Sequence, residues 1–187
     1  MTNIAIFASG TGSNALKIIQ HFEQHPQINI RLVVSNKAKA YVLTTAAKYE
    51  IPTLILQRKN FYESEQLLTD LQVHQIDFIV LAGFLWLIPA YLVRHFPKRI
   101  INIHPALLPK YGGKGMYGKH VHEAVYQAKE SETGITIHYV NEQYDEGNII
   151  FQARCALTPQ DTPLEISKKI QQLEHQHFAK VIEDLLD

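Results

Sequence analysis

The stretch "NIAIFASGTGSNA", Asn3 to Ala15, decides the fold. Its first part, Asn3–Ser9, is a short and nearly continuous apolar run, typical of a strand buried on both faces of a sheet. Gly10 and Gly12 then allow a tight turn, and from Ser13 onward apolar residues recur at helical spacing. A buried strand that passes through a glycine turn into a helix indicates the start of a βαβ unit.

The same alternation continues along the chain. Further strands are predicted in "INIRLVVSN", "TLILQ", "DFIVLAG" and "RIINI", with helices between them in "KAYVLTTAAKYEI", "FYESEQLLTDLQVHQI" and "LIPAYLVRHF". Strands separated by helix-length segments indicate parallel βαβ units, and hence a doubly wound, Rossmann-like sheet.

The pattern changes after Gly113. A helix near residues 118–128 is followed by two strands, "GITIHYV" and "NIIFQARCAL", and the segment "NEQYDEG" between them is too short for a crossover helix. These two strands are therefore expected to pair antiparallel. A last long helix follows, and Thr162 with Glu165 gives it a capping signal. The prediction is an α/β fold: one mostly parallel sheet with an antiparallel C-terminal strand pair, in a single domain over residues 1–187.

Composition excludes several classes of protein. The 18 Lys and Arg residues balance 18 Asp and Glu residues, so no basic surface for nucleic acid or membrane is expected. Cys155 is the only cysteine, which excludes an internal disulfide and a cysteine-rich zinc site. The N-terminus does not have the pattern of a signal peptide, and no apolar run approaches the ~20 residues of a membrane span. We therefore expect a cytoplasmic protein with no nucleic-acid or membrane partner.

The glycine loop after the first strand predicts an anion site. Backbone N–H groups at a helix N-terminus can hold a phosphate, and the loop even matches the alanine-ended dinucleotide pattern. However, the second strand ends "VVSNK" without the carboxylate that holds a ribose, so NAD is disfavoured. NADP stays an alternative because Lys37 could bind its 2′-phosphate. A site for a single phosphate, held by Gly12, Ser13 and Asn14, explains the loop without requiring a ribose-binding carboxylate. A plain glycine turn with a Ser or Asn cap is the alternative.

The stretch "RIINIHPALLPKYGG" predicts a reactive pair at the end of the fifth strand. Asn102 and His104 are two residues apart, so both point to one face at the carboxyl edge, where open α/β sheets bind ligands. Pro105 ends the strand because it has no N–H to donate. Asparagine offers a neutral donor for an oxyanion, and histidine a proton near neutral pH. The pair therefore suits nucleophilic addition to a carbonyl-type carbon.

A third residue, Asp145, is available to orient or charge the imidazole. It lies in the loop of the predicted hairpin, where Asp-Glu-Gly is also ordinary turn chemistry. No serine or cysteine lies in a nucleophile motif, so direct transfer to a bound nucleophile is favoured over a covalent enzyme intermediate. A structural role for His104 is the alternative.

These stretches resemble the phosphoribosylglycinamide formyltransferase family, the folate-dependent enzymes of purine biosynthesis. "FASGTGSN" resembles the family's phosphate loop, "LAGFLWLIP" its folate pocket, "INIHPALLPKY" its catalytic segment and "GITIHYVNEQYDEGNII" its aspartate loop. "QQLEHQHF" resembles the helix that meets the substrate amine. The resemblance covers nearly the whole chain and implies a single formyltransferase domain that uses 10-formyltetrahydrofolate and glycinamide ribonucleotide, as a monomer or weak homodimer, with no metal.

The resemblance also implies roles for individual residues. The positions that match the catalytic trio are Asn102, His104 and Asp145. The positions that match contacts to the ribonucleotide are Gly12, Ser13, Asn14 and Glu174. The positions that match the folate pocket are Leu85, Trp86 and Ile88.

Three features depart from the family pattern. Trp86 stands where some members have arginine, and "NFYESEQLL" has no arginine where some members place one beside the folate. The loop "KYGGKGMYGKHVHEAV" is longer than the usual form, so the extra residues Lys114–Tyr117 either cover the site or lengthen a loop.

Three other functions remain to be separated from transfer to the ribonucleotide. A formyltetrahydrofolate hydrolase usually has an N-terminal regulatory domain, and here the first strand begins at residue 3. A methionyl-tRNA formyltransferase needs a C-terminal RNA-binding domain and a basic surface. A nucleotide-binding module would use the glycine loop alone. The helical pair His175 and His177 also suggests a metal, but a spacing of two splays their side chains apart.

Overall fold

The computed structural model describes residues 1–187 and contains seven strands and seven helices. The strands are β1 (Thr2–Phe7), β2 (Ile28–Ser35), β3 (Thr53–Ile55), β4 (Phe78–Leu81), β5 (Ile100–His104), β6 (Glu132–Tyr139) and β7 (Ile149–Ala156). The helices are α1 (Ser13–Phe22), α2 (Tyr41–Lys48), α3 (Arg58–Glu63), α4 (Gln66–Val73), α5 (Ala90–His95), α6 (Lys119–Gln127) and α7 (Pro163–Leu186).

All seven strands form one sheet in the order β3-β2-β1-β4-β5-β6-β7. The strands β1 to β5 pair parallel, whereas β6 pairs antiparallel with β5 and β7 antiparallel with β6. The predicted doubly wound sheet and its antiparallel C-terminal pair are thus confirmed. Because β2 and β4 lie on opposite sides of β1, the strand order reverses there, and a crevice opens between the carboxyl ends of β1 and β4.

Alternate residues of the central strands face two separate hydrophobic cores. On one face, Ile4 and Ile6 of β1 pack with α1, α2, α6 and α7. On the other face, Ala5 and Phe7 pack with α3, α4 and α5. Both faces are covered, which explains why the strand sequences are apolar throughout and do not alternate.

The helix predicted in "FYESEQLLTDLQVHQI" is wrong as one continuous element, because the structure divides it into α3 and α4. Ser64 between them has extended backbone angles, φ −141° and ψ 162°. Its hydroxyl donates to the Asn60 carbonyl at 2.9 Å and accepts from the Gln66 N–H at 3.4 Å. These local bonds compete with the helix, as is common for serine.

The last helix starts as its capping signal predicts. The Thr162 hydroxyl accepts from the Glu165 N–H, and the Glu165 carboxylate accepts from the Thr162 N–H at 3.0 Å, with Pro163 in the first turn. This capping box satisfies two backbone donors and sets where α7 enters the fold. No helix of the protein combines the length and the apolar character that a membrane span requires.

Candidate active site

A cleft of about 730 Å³ lies over the carboxyl ends of β1, β4 and β5. Its walls are the glycine loop after β1, the "GFLWLI" segment after β4, the end of β5, the β6–β7 loop and one face of α7. Each of these segments contains residues that the sequence predicted to be functional. The topology therefore brings the predicted site residues to one place.

Asn102 and His104 both line this cleft, as their spacing in β5 predicts. Between them, Ile103 points the other way into the larger hydrophobic core. His104 is almost fully buried. A neutral donor and an ionisable ring are thus held side by side, and the burial of the ring strengthens its electrostatic interactions.

Asp145 joins this pair from the β6–β7 loop. One carboxylate oxygen, Oδ2, lies 3.4 Å from Nδ1 of His104 and accepts from the Gly113 N–H at 3.0 Å. The other, Oδ1, lies 3.4 Å from Nδ2 of Asn102. Burial acts to raise the pKa of Asp145, but the neighbouring histidines and the Gly113 N–H outweigh it and hold the pKa below its ordinary value. Asp145 is therefore a carboxylate at neutral pH.

The His104 ring has an acceptor at each nitrogen. Nε2 lies 2.7 Å from the Tyr111 carbonyl oxygen, and Nδ1 faces Asp145. Burial lowers the pKa of His104, and this effect exceeds the opposing influence of Asp145 and the Tyr111 carbonyl. Nearby His138 lowers it further. The ring is therefore poised to give up a proton more readily than a free histidine.

His138 is a site residue that the sequence reasoning missed. Its Nε2 lies 3.1 Å from Nδ2 of Asn102 and 3.6 Å from Oδ1 of Asp145, and its side chain is buried. Its Nδ1 lies 2.9 Å from the Tyr139 carbonyl, so in the neutral ring Nδ1 carries the proton and Nε2 accepts. The only sequence signal for it is a polar residue within the apolar strand "GITIHYV".

A second missed histidine, His122 of α6, also lines the cleft. It is buried, and its Nδ1 has no hydrogen-bond partner. Burial lowers the pKa of His122, and the neighbouring His104 lowers it further. His122 is therefore a neutral ring at pH 7.

The predicted phosphate loop lies at the N-terminus of α1. Gly12 has φ +74°, and a Cβ atom there would come within 2.5 Å of Cγ2 of Val42, so only glycine fits. Ser13 and Asn14 form the first turn of α1, and their backbone N–H groups have no partner within the helix. Free donors at a helix N-terminus favour an anion, as the loop predicts.

Glu174 of α7 meets this loop from the other side. Its carboxylate accepts from Nδ2 of Asn14 at 2.9 Å, and Nε2 of Gln171 lies 3.4 Å from the Ser13 hydroxyl. Burial raises the pKa of Glu174, and the Asn14 hydrogen bond only partly opposes this. Oδ1 of Asn14 is buried without a partner. The glycine loop and α7 thus form one polar part of the cleft lining.

The segment that resembles a folate pocket also lines the cleft, after the end of β4. The N–H of Leu85 donates to the Ser9 hydroxyl at 3.0 Å, and Ile88 is buried in the smaller core. Trp86 packs on Phe61 with ring centroids 5.5 Å apart. The guanidinium of Arg58 lies 5.4 Å from the Trp86 ring centroid. Arg58 lies two residues before Asn60, where the stretch without an arginine begins, so a positive charge is present beside this wall.

The insert Lys114–Tyr117 lies along the cleft. Gly112, two residues before the insert, is tightly packed, because a Cβ atom there would lie 2.5 Å from Cδ2 of Leu108. The insert therefore forms part of the wall of the site.

The histidines of the last helix do not converge. His177 packs on Phe151 with ring centroids 5.1 Å apart, whereas Nε2 of His175 is buried without a partner. A different group, His25 with Glu183 and Asp187, places potential metal ligands within 4.8 Å of one another. Nδ1 of His25 accepts from two backbone N–H groups, so Nε2 carries the proton and has no lone pair for an ion. This group fits an ion-pair cluster better than a metal.

Fold and site together define the class: a doubly wound α/β protein with a glycine loop at a helix N-terminus and an Asn–His–Asp cluster in one cleft. The profile of the family described as formyl transferase matches residues 2–182, and the chain belongs to this family.

Two named proteins are similar in sequence to this chain over nearly its whole length. The chain is 40% identical over 186 residues to the chloroplastic phosphoribosylglycinamide formyltransferase of Arabidopsis thaliana, covering 96% of this chain and 63% of that protein. It is 37% identical over 188 residues to phosphoribosylglycinamide formyltransferase of Haemophilus influenzae, covering 97% of this chain and 86% of that protein. The chain thus spans slightly less than two thirds of the Arabidopsis relative and most of the Haemophilus one.

Solved structures have the same fold. The phosphoribosylglycinamide formyltransferase of Bacillus halodurans superposes with a TM-score of 0.90 at 35% identity, covering 100% of this chain and 96% of that one. A formyltetrahydrofolate deformylase of Pseudomonas syringae has a TM-score of 0.86 at 21% identity, covering 99% of this chain and 61% of that one. The second likeness concerns the fold alone.

Proposed function

We propose that this protein transfers the formyl group of 10-formyltetrahydrofolate to the amine of glycinamide ribonucleotide, a step of purine biosynthesis. One observation carries the proposal: the Asn102, His104 and Asp145 cluster shares one cleft with an anion-binding loop and a buried carboxylate, Glu174. Such a cleft holds both ends of an amine-bearing phosphate substrate against a carbonyl-activating group. The named relatives support this choice of substrates.

The geometry suggests a role for each part of the cleft. Gly12, Ser13 and Asn14 bind the phosphate through the N-terminus of α1, and Glu174 binds near the amine. Leu85, Trp86 and Ile88 provide an apolar wall for the folate ring system. The folate is a co-substrate here, and the proposed chemistry uses no metal.

The reaction then proceeds by direct attack. The neutral amine forms a bond to the formyl carbon, and an oxyanion develops on the formyl oxygen. The Asn102 amide and the protonated His104 stabilise this charge. The bond from the carbon to the folate nitrogen breaks, and the proton lost by the amine reaches that nitrogen. Asp145 favours the protonated imidazole by its charge and assists this relay.

His104 is able to take part because its contact with Asp145 is loose. Nδ1 and Oδ2 are 3.4 Å apart, longer than the about 2.7–2.9 Å of a direct charge-assisted hydrogen bond. A proton on Nδ1 is therefore available to a substrate oxygen without breaking a strong internal bond.

A single assay tests the proposal. The purified protein is incubated with 10-formyltetrahydrofolate, with and without glycinamide ribonucleotide, and tetrahydrofolate and formylated ribonucleotide are measured. We expect both products only when the ribonucleotide is present. Tetrahydrofolate with formate in its absence would instead indicate a hydrolase, and no turnover with ligand binding alone would indicate a nucleotide-binding module. Glycinamide without the phosphoribosyl group serves as a control for the phosphate loop and is expected to react poorly.

A cytoplasmic location, and a monomer or weak homodimer, stay predictions from the sequence.

A further inference from the structure

One short segment touches both members of the His104–Asp145 pair. In residues 111–113, which we call the Tyr111–Gly113 strap, the Tyr111 carbonyl lies 2.7 Å from Nε2 of His104. Two residues later, the Gly113 N–H donates to Oδ2 of Asp145 at 3.0 Å. The strap therefore faces the catalytic pair with an acceptor at one end and a donor at the other.

The position of the Tyr111 carbonyl depends on its own side chain. Tyr111 has φ +57°, a left-handed conformation that aromatic residues rarely adopt, and so the surroundings must hold it. The Tyr111 hydroxyl donates to Oε1 of Glu130 at 2.8 Å, and Lys110 Nζ lies 2.9 Å from the same oxygen. Glu130 thus anchors the strap from outside the cleft.

We propose that Tyr111 is a positioning residue: anchored on Glu130, it holds its carbonyl against Nε2 of His104 and makes Nδ1 the proton-exchanging nitrogen. A carbonyl only accepts, and at 2.7 Å it lies closer to Nε2 than Asp145, at 3.4 Å, lies to Nδ1, so Nε2 keeps its proton in both states of the ring. The lone pair of the neutral ring is then on Nδ1, on the side of Asp145. This inference concerns the reaction proposed above, but the state of the ring can be measured without it.

The first test is nitrogen-15 NMR of the histidine rings. In the wild-type protein, neutral His104 is expected to be in the Nε2–H form alone, with a slowly exchanging Nε2 proton. In Tyr111→Phe and Glu130→Ala, this proton should exchange faster and the two neutral forms should mix. A proton on Nδ1 of neutral wild-type His104, or an unchanged spectrum in both variants, would overturn the proposal.

The second test is the pH dependence of kcat/KM. The Tyr111 carbonyl raises the pKa of His104 against the effect of burial, and Asp145, His138 and His122 are the other ionisable groups near the ring. Loosening the strap should therefore shift the loss of activity at high pH towards lower pH. A fall in kcat of about threefold to tenfold is expected, the usual effect of one hydrogen bond.

Matched variants separate positioning from simple structural damage. Glu130→Gln keeps an oxygen acceptor for the tyrosine and should retain the wild-type pH profile, whereas Glu130→Ala should behave like Tyr111→Phe. The double variant Tyr111→Phe/Glu130→Ala should be no worse than either single one. Tyr126→Phe, on the exposed side of α6, is the control. Lower kcat with an unmoved pH profile would contradict the proposal. Should the wild type show no transfer at all, the proposed function fails while the NMR result still decides the role of the strap.

Discussion

Asn102 and His138 are direct partners across the antiparallel β5–β6 pair, with Nδ2 of Asn102 3.1 Å from Nε2 of His138. In the tautomer that donates from Nδ1 to the Tyr139 carbonyl, Nε2 of His138 accepts, so the NH₂ group of Asn102 faces it and the amide does not rotate freely. Asp145 Oδ1 lies only 3.6 Å from the same Nε2, whereas acceptors of two different N–H bonds of an amide would be about 5 Å apart. One N–H therefore serves both acceptors, and the other remains for a substrate oxygen.

Replacing His138 by alanine should lower kcat about tenfold, because the Asn102 amide loses the bond that orients it. The effect should not add to that of Asn102→Ala, since both changes remove the same oriented donor. Steady-state kinetics of the two single variants and the double variant measure this coupling. His120→Ala, an exposed change on α6, is the control. Fully multiplicative losses would show that His138 acts independently of Asn102.

Replacing Asn102 by alanine should lower kcat by about 10²–10³-fold, the usual effect of losing one oxyanion donor, with little change in KM for either substrate. Asn29→Ala, far from the cleft at the start of β2, is the matched control. A normal kcat in Asn102→Ala would remove this residue from the mechanism.

The sequence predicted those parts of the molecule that depend on local pattern. The β1–α1 loop and the Asn102/His104 pair follow from spacing within a single element, and both lie in the cleft. The orientation of Asn102 by His138 depends on the register of β5 against β6, which no local pattern specifies. The Asn14–Glu174 contact likewise joins residues 160 positions apart. The division between α3 and α4 was missed because Ser64 interrupts an otherwise helical pattern.

Trp86 tests the apolar wall of the cleft. Trp86→Ala should raise KM for 10-formyltetrahydrofolate about tenfold, because an aromatic contact contributes about 0.5–1.5 kcal/mol beyond the buried area. The kcat and the KM for the ribonucleotide should hardly change, since the Trp86 ring packs on Phe61 and Arg58 and not on the phosphate loop. Trp86→Phe keeps a ring and should lie between the two. A higher KM for the ribonucleotide alone would place the folate elsewhere.

Glu174 is expected to lower the stability of the folded protein and to contribute to substrate binding. Its pKa is raised in the folded protein, mainly by burial, so the folded state binds a proton more tightly than the unfolded state. The wild type therefore loses stability as the pH rises from the ordinary glutamate pKa, about 4.3, through the raised value. Glu174→Gln removes this cost, and its Tm should exceed that of the wild type at neutral pH but not below about pH 4.

The KM of Glu174→Gln for glycinamide ribonucleotide should meanwhile rise about tenfold or more, since a hydrogen bond to a charged group is lost. Thermal unfolding across pH and steady-state kinetics measure both effects, with the exposed Glu23→Gln as control. A Tm for Glu174→Gln at or below that of the wild type at pH 7, with an unchanged KM, would mean that this carboxylate neither carries a burial cost nor binds the substrate.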